Sequence, residues 1–170
     1  MLNQWCELRH LNGQLAPDIR RLMIAELYWA VEHDKLYYSK HFTAAGKKEY
    51  SLLLQNAFAS GNPDTLEESL NVPGHFQPDS PKNSVQTFAW DEFNKFYMRA
   101  LCLLAQSHPG YDLLVVRGRH SDNPKPESNR LLGAKKDPGQ FLNALRGVPR
   151  VNPFGANSGL TLELRERSQA

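Results

Sequence analysis

The sequence predicts an α+β fold: a helical N-terminal layer, then a central amphipathic helix packed on a small sheet in the C-terminal half. Three observations predict it. Apolar residues recur at three- and four-residue steps through much of residues 17–106; a short run with two β-branched valines follows at 111–116; and "GLTLELRE" at 159–166 alternates apolar and polar residues.

The first helix is expected over roughly 17–33. Pro17 suits a first helical turn, and Ile19, Leu22, Met23, Leu27, Ala30 and Val31 fall on one face. Thr43 can cap a second helix with the face Tyr50, Leu53, Leu54, Ala57 and Phe58, ending at Gly61. In "NPDTLEESL", Asn62 as cap and Pro63 at the first helical position announce a short third helix.

Residues 71–86, "NVPGHFQPDSPKNSVQ", carry three prolines and a glycine and are expected to form a long loop, a structural connector before a functional arm. A chain of 170 residues fits a single domain over 1–170, with this loop as the candidate subdomain boundary.

"FAWDEFNKFYMRALCLLAQS", approximately 88–106, is the strongest helix. Phe93, Tyr97, Ala100, Leu101 and Leu104 form its apolar face, Trp90, Phe96 and Leu103 widen it, and Lys95 and Arg99 fall on the residual polar side. "HPG" stops it at 108–110. Tyr111 through Val116 is apolar on both alternating sets, as in a strand covered on both faces. "NPKPESNR" at 123–130 is expected to be an extended loop. Asp137 as cap and Pro138 at the first position predict a helix over 138–146, and Leu160, Leu162 and Leu164 alternate with Thr161, Glu163 and Arg165 in a strand with one wet face.

Composition narrows the function classes. The 41% hydrophobic and 22% charged content is that of a globular chain, and no apolar stretch approaches the ~20 residues a bilayer crossing needs, so no membrane partner is expected. The start "MLNQWCELRH" lacks the basic region and long apolar stretch of a secretory leader, which points to the cytoplasm. Six scattered histidines and two cysteines form no metal-ligand spacing, so neither a metal nor a cofactor is expected, and Cys102 is expected to be a reduced core thiol.

Charge is unevenly spread. Residues 1–110 hold 10 Lys and Arg against 12 Asp and Glu, net −2, whereas residues 111–153 hold 8 against 4, net +4. The basic stretch is therefore the candidate surface for an anionic partner. Its candidate anion- or nucleic-acid-binding residues are Arg117, Arg119, His120, Lys125, Ser128, Arg130, Lys135 and Lys136. Arg117 and Arg119 share a face if the strand continues through Gly118, and two guanidiniums on one face can grip a phosphate. "NPFGANSGL" at 152–160 has no phosphate-loop spacing, and its glycines are read as turn residues.

The leading expectation is a small non-enzymatic binding or assembly protein, contacting nucleic acid or an acidic partner surface through 111–153. One alternative is an enzyme for a phosphorylated or nucleotide substrate, with Arg117 and Arg119 as clamps and His120 as acid and base. The other is a structural subunit of a larger bacterial or phage-type assembly, docking through aromatics such as Trp5 or Phe76.

Overall fold

The computed structural model describes residues 15–119, 122–147, 153–155 and 158–168. The described elements are α1 (Pro17–Glu32), α2 (Ala44–Ser60), α3 (Pro63–Leu70), α4 (Ser84–Ser107), β1 (Tyr111–Arg117), α5 (Pro126–Leu131), α6 (Pro138–Gly147) and β2 (Leu160–Glu166). The arrangement is α+β, with the two-stranded sheet in the C-terminal half.

Local punctuation acts as its chemistry dictates. Thr43 Oγ1 accepts from Gly46 N–H at 3.0 Å and opens α2; Asn62 and Thr65 close a reciprocal capping box at the start of α3. Asp137 Oδ1 accepts from Gln140 N–H at 2.8 Å and opens α6. Gly46 is required by a close approach, because a side chain there would collide with the His75 carbonyl.

Loop 71–83 is pinned to the start of α2. Thr43 N–H donates to His75 O at 2.9 Å, and Gln77 N–H donates to His41 O at 2.8 Å. The Phe76 ring packs tilted against Phe42, centroids 4.7 Å apart, and joins the cluster of Tyr38, Tyr50 and Phe88. The ring that was a docking candidate is thus packed and half-buried. The loop is shorter than expected because α4 starts at Ser84, entered through Asn83 in the left-handed conformation at φ 67° with no side-chain cap.

α4 is the axis of the molecule, packing against α1, α3, α6 and both strands. Phe93 and Phe96 lie 5.5 and 5.1 Å from Phe58 of α2, and all three rings are fully buried. Burying one such side chain stabilises by about 1.5–3 kcal/mol. One hydrophobic cluster runs through these helices, α6 and the sheet.

Lys95 and Arg99 correct the expected polar side of α4, since both are buried. Lys95 Nζ donates to both Glu92 carboxylate oxygens at 2.9 Å, and Tyr50 OH donates to Glu92 Oε2 at 3.2 Å. Arg99 Nε and Arg146 Nε donate to Glu26 Oε1 at 2.8 and 2.9 Å, while Arg146 Nη2 donates to Oε2 at 2.6 Å. Phe96 and Trp29 cover the two guanidiniums, 4.7 Å from Arg99 and 4.4 Å from Arg146. Glu26 therefore faces inward on α1, and Val31, expected on the apolar face, is half exposed. Burial alone would raise the Glu26 carboxyl. The hydrogen bonds and charges of Arg146 and Arg99 outweigh it and hold the group below the usual glutamate range.

β1 and β2 pair antiparallel from Tyr111↔Glu166 to Arg117↔Leu160. The first half of β2 departs from the one-wet-face expectation: Leu160, Thr161 and Leu162 are all buried. Thr161 Oγ1 meets Asn94 Oδ1 of α4, and Asn94 Nδ2 donates to Leu160 O at 3.0 Å, so the polar position is satisfied inside. Residues 133–136 run along the other edge of β1, with Gly133 N–H donating to Val115 O and Lys136 N–H to Leu113 O, both at 2.8 Å. The segment expected as an extended loop contains α5, whose Pro126 occupies the first helical turn.

Candidate functional site

The basic residues divide along β1. At its C-terminal end Arg117 is half-buried and committed: Nη2 donates to Asn129 Oδ1 at 3.0 Å and Nη1 to Ser158 O at 3.3 Å. The strand stops there. Gly118 and Arg119 both donate their N–H groups to Gly159 O, at 2.7 and 3.0 Å, which ends the alternation that was to align the two arginines. Gly159 adopts φ 70°, and its α-carbon faces the Arg119 carbonyl, so the turn needs glycine. The Arg119 charge acts on Asp91 of α4 and Glu67 of α3 instead. The two guanidiniums thus serve different neighbours. His120 lies outside the described residues.

Ser128 is buried in α5, whereas Lys125 at its N-cap and Arg130 in its last turn are exposed. Neither Lys125 nor Arg130 makes an ion pair among the described residues.

At the other end of β1 the cations converge. Lys135 Nζ donates to Asp112 Oδ2 at 2.9 Å and Arg167 Nε to Asp112 Oδ1 at 2.8 Å. Lys136 is half-buried, its Nζ 6.0 Å from the Phe141 ring centroid. Lys135, Lys136 and Arg167 line one cavity of about 410 Å³ together with Gln106, Tyr111, Asp112 and the first residues of α6. The hydrogen bonds of Lys135 and Arg167 hold the Asp112 carboxyl below the usual aspartate range. Three cations face two carboxylates there, and the Asp137 carboxylate is occupied with the α6 N-terminus.

Sequence reasoning found Lys135 and Lys136 through charge density and missed Arg167 and Asp112. The missing signal is the register: pairing Tyr111 with Glu166 sets Arg167 beside Asp112, and Arg167 N–H donates to Gly110 O at 2.9 Å.

Among the described residues no group of His, Cys, Asp and Glu is arranged to hold a metal ion, and no described helix is long and apolar enough to cross a membrane. No protein-family model, curated protein or solved structure matches the chain.

Proposed function

We propose that this chain is a non-enzymatic, cytoplasmic binding protein whose basic edge along β1 contacts the phosphate backbone of a nucleic acid. The observation that carries the reading is the return of residues 133–136 along β1. It strings cations along one edge, Lys125 and Arg130 toward the Arg117 end and Lys135 and Lys136 at the Asp112 end, where Arg167 reaches the same cavity from the β2 side. From Asp112 to Arg117 the strand covers about 17 Å at ~3.3 Å per residue. That length matches about five phosphates of one strand of a duplex, a repeated anion rather than a single phosphate group.

The commitment of Arg117 to Asn129 and Ser158 moves the contact away from the Arg117–Arg119 pair and onto the exposed cations. The test is binding of generic duplex DNA and single-stranded RNA by the wild type and by a Lys125→Ala, Arg130→Ala, Lys136→Ala variant. All three lie on the surface or its margin, so the variant is expected to fold and to bind about tenfold or more weakly. Equal binding by the variant, or capture of poly-glutamate in preference to nucleic acid, would overturn the reading.

A further inference from the structure

A second cavity, of about 300 Å³, lies against the first two turns of α4, and none of its lining residues belongs to the basic edge. Ser84, Thr87, Phe88 and Asp91 recur at i, i+3, i+4 and i+7 and so project from one face of the helix into it. Tyr37 faces them from the segment after α1, its ring centroid 6.0 Å from that of Phe88.

Two polar groups there make no hydrogen bond to the described residues. Ser84 Oγ is buried and makes no hydrogen bond within the described residues. The half-buried Asp91 carboxyl makes neither a hydrogen bond nor an ion pair among them. Lys95 Nζ is held by both oxygens of Glu92, so toward Asp91 it, like Arg119, acts as a nearby charge and not as a hydrogen-bond donor. The carboxyl opens on the cavity, where a bound donor would take the place of water beside it.

We propose that this cavity binds a small organic cation, an alkylammonium or guanidinium group, with Asp91 as its counter-ion. An ammonium has three donors and no acceptor, which suits the Asp91 carboxylate and the faces of Tyr37 and Phe88. An anion would instead meet the Asp91 carboxyl, with Glu92 already paired to Lys95 and Lys82 exposed at the margin. The charges acting on Asp91 agree: burial and then Glu92 push its carboxyl up to about 7, while Arg119 and Lys95 oppose the rise. A cation seated beside it would bring it down.

The experiment is calorimetric titration near neutral pH with agmatine and butylammonium, with butyrate and butanol as controls. The amines are expected to bind saturably, the controls not at all, and Asp91→Asn to weaken the amines about tenfold or more. In the wild type, the Asp91 carboxyl carbon followed by NMR should titrate at lower pH with agmatine bound, a readout that stands if the variant fails to fold. Absence of saturable amine binding, equal binding by Asp91→Asn, binding of butyrate as tight as that of the amines, or an Asp91 titration unmoved by agmatine would each overturn the proposal.

Discussion

Arg117 donates to the Asn129 side-chain oxygen at 3.0 Å and so ties the end of β1 to α5. A second bond reaches Ser158 O, on the turn that leads into β2. The guanidinium is a structural tie between three segments. Arg117→Ala should therefore lower stability by about 1 kcal/mol and change nucleic-acid affinity less than removal of the exposed cations does. Arg117→Lys should restore little, since one ammonium cannot reproduce the fork that reaches two separate acceptors. Urea denaturation and a binding isotherm on the same preparations check both statements.

Glu26 holds two arginines, the buried Arg99 of α4 and the part-exposed Arg146 of α6. Glu26→Gln should cost about 3–5 kcal/mol, because it leaves buried positive charge uncompensated, whereas the surface pair Arg21–Asp18 should be worth less than ~1 kcal/mol. Chemical denaturation of Glu26→Gln and Asp18→Asn side by side measures the contrast.

Two carboxyls give stability opposite pH dependences. Glu26 is held low in the folded state, so its contribution is present above the unfolded glutamate pKa and is lost as pH falls through the folded value. Asp91 is raised to about 7, so its contribution is present below the unfolded aspartate pKa and is lost as pH rises through about 7. Asp91→Asn should gain on the wild type by about 1–3 kcal/mol between mildly acidic and mildly alkaline solution. Melting temperatures of the two proteins across that range read the difference directly.

Cys102 is fully buried, and burial followed by the Glu26 charge pushes its thiol up to about 12. In a Cys6→Ser background it should resist a thiol reagent in the folded protein and react on addition of denaturant. A labelling time course with and without urea checks this.

Much of the fold was legible because its punctuation is local. Pro17, Thr43, Asn62 with Pro63, and Asp137 with Pro138 act within a turn of where they stand. The start of α4 carries no such signal, since Asn83 turns the chain by its backbone and caps nothing. Arg99 looked solvated because its partner Glu26 is 73 residues away, and no spacing along α4 reveals it. The site divides in the same manner. Lys125, Arg130, Lys135 and Lys136 stand out by charge density, while Arg167 joins Lys135 and Lys136 only through the β1–β2 register.

The central claim is that exposed cations along one edge of β1 neutralise backbone phosphates. The salt dependence of duplex binding tests it most directly. The affinity should fall linearly on a log–log plot, and each substitution among Lys125, Arg130 and Lys136 should reduce the slope by about 1. A slope near zero, or one that all three substitutions leave unchanged, would contradict the account.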